Sequence, residues 1–188
     1  MKIRFLLAFL SLFIPISQAF ATNWKIIPEK SLIVFTATQN NAPVTGKFTN
    51  FIGEIDFDPK SLDKSQVKIE IDMNSVSASY DEMTNSLKTE EWFSIKIFPK
   101  AIFESRNFTK INEKNYKSDG FLTIRDKKIP ISLNFILEEY SDKLARIKGY
   151  TNLKRNDFGV GTEQWNKTDS IQNEVKVEIK ISALPQNL

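Results

Sequence analysis

The sequence predicts an all-β protein of about eight antiparallel strands with one short helix. Apolar and polar residues alternate through most of the chain, as in strands with one buried face. Short polar segments separate the alternating runs, and connections of this length join antiparallel neighbours. Six glycines and seven prolines in 188 residues are too few for a disordered chain. Eight such strands bury their apolar faces in a closed barrel or a two-layer sandwich.

The first 21 residues have the pattern of a secretion signal. Lys2 and Arg4 give a positive start, and residues 5–16 form an apolar run. This run is shorter than the roughly 20 residues that span a bilayer. Residues 19–21 read Ala-Phe-Ala, the small-x-small pattern of a cleavage site, and no cysteine follows that would carry a lipid anchor. We therefore expect cleavage after Ala21 and an exported domain over residues 22–188.

The composition excludes several classes of function. The chain has no cysteine and no histidine, which removes thiolate nucleophiles, Ser–His–Asp triads and ordinary zinc sites. We therefore expect no metal and no cofactor. The formal charge of +3 falls to +1 without the signal, which carries two basic residues and no acidic one. A nearly neutral protein gives no electrostatic reason to expect a nucleic-acid partner.

The strands follow from alternation along the chain. It is clearest at residues 67–71, 129–137 and 175–181, and weaker at residues 31–38, 45–57, 100–108, 116–124 and 144–152. Gly53 lies within one of these runs and predicts a bulge or bend there.

One segment breaks the alternation, and we expect a short helix over residues 80–93. Met83 and Leu87 lie four residues apart and share one helical face. Ser79 and Glu82 have the spacing of a capping box, and Pro99 follows the segment.

Several strings, in this order, resemble the YceI family of exported proteins. They are WKIIP (24–28), SLIVF (31–35), GKF (46–48), FIGEIDFDP (51–59), LKTEEWF (87–93), FPKAIFES (98–105), GFLTI (120–124) and RNDFGVG (155–161), followed by Trp165 and the strand at 175–181. The resemblance implies a bacterial periplasmic protein with an extended, lipocalin-like antiparallel eight-stranded β-barrel. It also implies that the barrel binds a long amphiphile, such as a polyisoprenoid, an isoprenoid quinone or a fatty-acid derivative.

A ligand of this kind requires apolar walls, because each CH₂ group that is buried against them adds about 0.8 kcal/mol to the free energy of binding. The predicted ligand-binding residues are Phe48, Phe51, Trp92, Phe93, Phe103, Phe121, Leu133, Phe135 and Arg155. The alternative is that the apolar members of this set only fill a core.

Arg155 has two interpretations. It could meet an anionic headgroup at the barrel mouth. We favour the second, in which it pairs with Asp157 and fixes an irregular loop where Gly159 and Gly161 allow positive φ.

The sequence therefore predicts a non-enzymatic carrier of a long-chain lipid or isoprenoid, without stable membrane insertion. Two alternatives remain at this point. A small outer-membrane barrel would turn its apolar face to lipid. A hydrolase would use a carboxylate pair such as Asp56/Asp58, Glu90/Glu91 or Glu138/Glu139. The oligomeric state is left open.

Overall fold

The computed structural model describes residues 23–167 and 170–186, so the predicted signal lies outside the described residues. The described residues form eleven strands and one α-helix. Their bounds are β1 (Asn23–Ile26), β2 (Leu32–Gln39), β3 (Ala42–Phe48), β4 (Phe51–Asp56), β5 (Gln66–Asp72), β6 (Val76–Ala78), α1 (Asp81–Lys88), β7 (Lys100–Lys110), β8 (Asn115–Ile124), β9 (Lys127–Tyr140), β10 (Ala145–Lys154) and β11 (Ile171–Pro185).

These strands occupy eight positions in the wall of a closed barrel. A 3₁₀ turn at Pro28–Lys30 separates β1 from β2, and both pair with β11. Residues 49–50 separate β3 from β4, and a 3₁₀ turn at Met73–Ser75 separates β5 from β6. Every pairing is antiparallel, and the pairing of β1 with β11 closes the ring. The predicted antiparallel eight-stranded β-barrel with one helix is confirmed.

The alternation in sequence becomes an inside and an outside of the barrel. On β11, Val177 and Ile179 face the interior, and Lys176, Glu178 and Lys180 face outward. This follows from the pleat, which points successive side chains to opposite faces.

Aromatic side chains fill one end of the barrel. This closed end consists of Trp24, Phe57, Tyr116, Phe135 and Ala183, with Phe108 and Tyr140 packed against them. The Tyr116 and Phe135 rings stack with centroids 5.4 Å apart. Trp24 Nε1 donates a 3.0 Å hydrogen bond to the Phe57 carbonyl, so the one polar atom of the buried indole is satisfied.

The opposite end has a gap in the wall. The ladder between β5 and β7 ends at Asp72 and Lys100, and β6 pairs with β3 alone among the described strands. Helix α1 and residues 89–99 follow at this position in the chain.

Helix α1 is the one α-helix in the described part of the chain, and it is not a candidate for a membrane-spanning helix.

The helix is shorter than predicted and starts differently. Met83 and Leu87 both pack into the core, as their spacing predicts. The capping prediction for Ser79 is wrong, because Tyr80 occupies the N-cap without a side-chain bond and Ser79 Oγ donates to the Thr45 carbonyl instead. The helix ends at Lys88, and residues 89–93 continue as turns.

The predicted bulge at Gly53 is also wrong. The register between β4 and β5 is continuous from Phe51 to Asp56. A Cβ at Gly53 would overlap the Ile69 and Ile26 side chains, so the glycine allows close packing rather than a bend.

Candidate ligand-binding cavity

The barrel encloses an apolar cavity of about 270 Å³. Its lining runs from Trp24 and Ala183 at the closed end to Phe158 and Val160 at the other. An apolar cavity of about 150 Å³ stays dry and takes up benzene. The interior therefore has room for a larger apolar molecule and is not a filled core.

Most of the predicted ligand-binding residues lie on the wall of this cavity. They are Phe48, Trp92, Phe93, Phe103, Leu133, Phe135 and Arg155. Phe51 is 5% exposed and belongs to the buried core without lining the cavity.

Phe121 requires a correction, because it lies on the outer surface. Its side chain is 48% exposed, and the Lys128 ammonium sits 5.3 Å from its ring centroid. The next residue, Leu122, is buried and lines the cavity. Neighbouring residues in a strand face opposite sides, so only one of these two apolar residues can point inward.

Three phenylalanines pack together in the cavity wall. Phe35 lies 5.6 Å from Phe48 and 6.4 Å from Phe93, and Phe48 lies 5.8 Å from Phe93, all between ring centroids. We did not predict Phe35 as a wall residue, although it shares the inward side of β2 with Ile33. Trp24, Phe57 and Phe108 were missed as well, and they line the cavity at the closed end.

Arg155 is 4% exposed and is held by backbone carbonyls. Nε donates to Gln172, Nη1 to Val160 and Gly161, and Nη2 to Trp165, Lys167 and Ile171, at 2.7–3.3 Å. Burial lowers the pKa of the guanidinium from its ordinary value. A guanidinium has five N–H groups, so these six contacts occupy its donors and leave none for a ligand headgroup.

The predicted role of Arg155 in fixing the loop therefore stands, but the predicted partner is wrong. Asp157 is not among its hydrogen-bond partners. Gly159 and Gly161 adopt φ of 65° and 77°, as the loop interpretation requires.

Two segments, residues 89–99 and 155–167, meet over the end of the barrel opposite the closed end. We call them the mouth cover. The Glu91 carbonyl accepts hydrogen bonds of 2.9 Å from the backbone N–H groups of Gly161 and Thr162. Glu91 Oε2 accepts a 2.6 Å bond from Trp165 Nε1, and the Trp92 and Trp165 rings lie 5.9 Å apart.

Arg125, in the turn between β8 and β9, joins both segments of the mouth cover. Its Nη1 donates to the carbonyls of Trp92 and Gly159. Polar contacts and the Trp92–Trp165 ring contact thus join the two segments to each other, and Phe93, Phe158 and Val160 pack the cover against the buried core.

A closed antiparallel barrel around one apolar cavity defines a class of small β-proteins that enclose a single ligand-sized space. A family model described as a YceI-like domain matches residues 24–183. The chain belongs to this family, and the resemblance seen in the sequence is confirmed.

The relatives agree with this assignment. A UPF0312 protein of Yersinia enterocolitica is 27% identical over 138 residues, which cover 71% of each chain. The crystal structure of BcnA from Burkholderia cenocepacia has a TM-score of 0.79 at 24% identity, covering 84% of this chain and 98% of that one. A polyisoprenoid binding domain from Saccharophagus degradans, implicated in plant cell wall breakdown, has a TM-score of 0.70 at 14% identity, covering 87% and 99%.

Proposed function

We propose that this protein is a carrier that binds a long amphiphilic lipid inside its barrel and shields it from water. The observation that carries the proposal is the continuous apolar lining between the closed end and the mouth cover. Among the described lining residues, the polar side chains are Ser118, Thr151 and Arg155. The polyisoprenoid binding domain of Saccharophagus degradans, which has the same fold, supports an isoprenoid as the ligand class.

The hydrophobic effect supplies the affinity. Each CH₂ moved from water into the wall contributes about 0.8 kcal/mol, so a chain of several isoprene units needs few polar contacts. The 270 Å³ cavity holds a short chain as it stands. A longer chain would extend past the mouth cover, which is held by contacts such as that between Trp165 and Glu91.

The arrangement of the two faces disfavours an outer-membrane barrel. Such a barrel turns apolar side chains to lipid and polar ones to its lumen. In this protein the cavity wall is apolar, and Lys176, Glu178 and Lys180 lie on the outside.

The positions of the carboxylate groups disfavour a hydrolase. Glu138 forms an ion pair with Lys148 at 2.6 Å and Glu139 one with Arg146 at 3.2 Å, both on the outer wall of the barrel. No carboxylate is among the described residues that line the cavity. A hydrolytic mechanism with two carboxylates needs both of them beside the bound substrate.

Export to the periplasm is part of the proposal, and its support is the sequence pattern of residues 1–21. Mass analysis of the protein from a periplasmic fraction should show Thr22 as the first residue. Retention of the first 21 residues would contradict export with cleavage.

The test of the carrier function is mass spectrometry of the organic extract from natively purified protein, prepared without detergent. We expect one class of long-chain lipid at a molar ratio near one. A protein that carries no lipid and takes none up from isoprenoid-containing vesicles would contradict the proposal.

A further inference from the structure

One polar side-chain atom in the cavity wall has no hydrogen-bond partner among residues 23–167 and 170–186. Ser118 is 1% exposed, and it lines the cavity between apolar neighbours. In the described part of the chain, its Oγ has no hydrogen-bond partner. Buried hydroxyl groups in folded proteins are nearly always hydrogen-bonded, so this exception needs a physical explanation.

Ser118 lies deep in the barrel, near the closed end. It is opposite Phe108 on β7 and Leu133 on β9. On the inward face of β8 its neighbour is Tyr116, which belongs to the aromatic cluster of the closed end. A molecule that enters past the mouth cover therefore reaches Ser118 with its leading end.

A second hydroxyl group lies on the same row of the wall. Asn134 pairs with Tyr150, and the next position along this register places Leu133 beside Thr151. Thr151 is 6% exposed and lines the cavity. Ser118 and Thr151 thus flank Leu133 on three successive strands, within an otherwise apolar part of the wall.

The need for space does not explain a serine at this position. Alanine would leave the same room in the cavity without the cost of burying an unpaired hydroxyl group. Water is a poor partner as well, because a buried water molecule needs two to four polar contacts and the surrounding wall is apolar. A bound molecule with an oxygen atom at this level would satisfy the hydroxyl.

We propose that Ser118 recognises an uncharged oxygen, a hydroxyl or a carbonyl, at the inserted end of the ligand. This rests on the proposed lipid-binding function and specifies both its ligand class and its orientation. The ligand places its oxygen-bearing end near the closed end and its hydrocarbon toward the mouth cover. Thr151 provides a second hydroxyl group on the same row.

The charges around the cavity favour an uncharged group over a phosphate or a carboxylate. Arg155 is the only charged side chain among the described lining residues. It follows Thr151 by four residues, about 13 Å at the rise of a strand. Its N–H groups are already bound to backbone carbonyls. An anion beside Ser118 would therefore lie in apolar surroundings without a counter-charge.

The test compares two probes, farnesol, an isoprenoid alcohol, and farnesene, the hydrocarbon with the same chain. Each competes with a fluorescent apolar dye for the purified protein, and the ratio of the two affinities is measured. A hydrogen bond of ordinary strength corresponds to a factor of about two to ten. We expect Ser118→Ala to lower the preference for farnesol by this factor, while farnesene binds as well as before or better.

Ser105→Ala is the matched control. Ser105 is 5% exposed and lies on the neighbouring strand, but its Oγ donates a 2.7 Å bond to the Asp119 carbonyl and it does not line the cavity. We expect this variant to lower the thermal midpoint and leave the affinity ratio unchanged. Ser118→Ala should keep or raise the midpoint, because it removes an unpaired buried group.

The results distinguish a failure of the proposed role of Ser118 from a failure of the proposed carrier function. An unchanged affinity ratio in Ser118→Ala, with both probes bound, would overturn the role of Ser118 and leave the carrier function standing. If neither probe displaces the dye from the wild type, the carrier function fails and the role of Ser118 fails with it.

Discussion

Gly161 leaves the space that the Arg155 guanidinium occupies. A Cβ at Gly161 would overlap Arg155 Nη1, the nitrogen that donates to the Val160 and Gly161 carbonyls. Gly161 also has a φ of 77°, which L side chains rarely adopt. Gly161 therefore allows the left-handed backbone conformation at this point of the mouth cover, and it leaves room for the buried Arg155 guanidinium.

Gly161→Ala should destabilise the protein by about 3 kcal/mol or more. The left-handed backbone alone costs roughly 1–2 kcal/mol, and displacing Arg155 leaves buried carbonyls unpaired at about 1–3 kcal/mol each. Gly159→Ala is the control, because Gly159 has a φ of 65° and a Cβ there would meet no atom within 4 Å. Gly159→Ala should lower the free energy of unfolding only by the cost of the left-handed backbone conformation, roughly 1–2 kcal/mol. Urea unfolding measures both variants, and equal losses would show that the contact with Arg155 does not matter.

Trp165→Phe should accelerate ligand exchange. The change removes the 2.6 Å hydrogen bond from Trp165 Nε1 to Glu91 Oε2 and keeps a ring beside Trp92. A hydrogen bond to a charged group contributes about 1.5–3 kcal/mol when buried, and less at this half-buried site. We expect the dissociation rate of a fluorescent apolar dye to rise about three- to tenfold. Tyr150→Phe, on the exposed outer wall, should leave the rate unchanged. An unaltered rate in Trp165→Phe would place the route of exchange elsewhere.

Between about pH 3 and pH 8, stability should depend on pH only at the acid end. The sequence contains no histidine, so neither stability nor ligand affinity should show a step near pH 6.5. A hydrogen bond from Lys100 lowers the pKa of Glu70 from its ordinary 4.5, and one from Lys117 lowers the pKa of Asp119 from 3.8.

The direction of these pKa shifts determines how stability changes with pH. A carboxyl group whose pKa is lower in the folded state stabilises the fold above its unfolded pKa, and this contribution is lost as the pH falls through the folded pKa. The thermal midpoint should therefore be flat from about pH 5.5 to pH 8 and fall below about pH 4.5. Glu70→Gln should reduce the acid slope. A midpoint that drops between pH 7 and pH 6 would contradict this account.

Alternation allowed the barrel and much of its interior to be predicted. The inward positions of β9, among them Leu133 and Phe135, share one face by the two-residue period of a strand, and both line the cavity. That period fixes relative orientation only. It could not decide between Phe121 and Leu122, two neighbouring apolar residues, because the choice depends on how β8 pairs with its neighbours.

The polar residues were harder to predict, because their roles depend on partners distant in sequence. Arg155 binds backbone carbonyls as far away as Gln172, and a carbonyl has no sequence signature. Ser118 lies in an alternating strand like any surface serine, and only the closed barrel shows that it is buried and unpaired. Sequence periodicity therefore finds the walls of such a cavity, and the three-dimensional structure is needed to find its polar positions.

Leu133→Trp should block ligand binding while the barrel remains folded. Leu133 lines the cavity between Ser118 and Thr151, so the larger ring takes the space of a ligand and covers both hydroxyl groups. Because the 270 Å³ cavity can accommodate the ring, the thermal midpoint of the delipidated variant should equal or exceed that of the wild type. In a filled core the same change would cost about 1–3 kcal/mol by overpacking. Ile136→Trp is the control, since Ile136 is 45% exposed on the outer face of the same strand, and its variant should bind lipid normally. A large fall in the midpoint of Leu133→Trp, together with a wild type that carries no lipid, would contradict the carrier function and indicate a purely structural barrel.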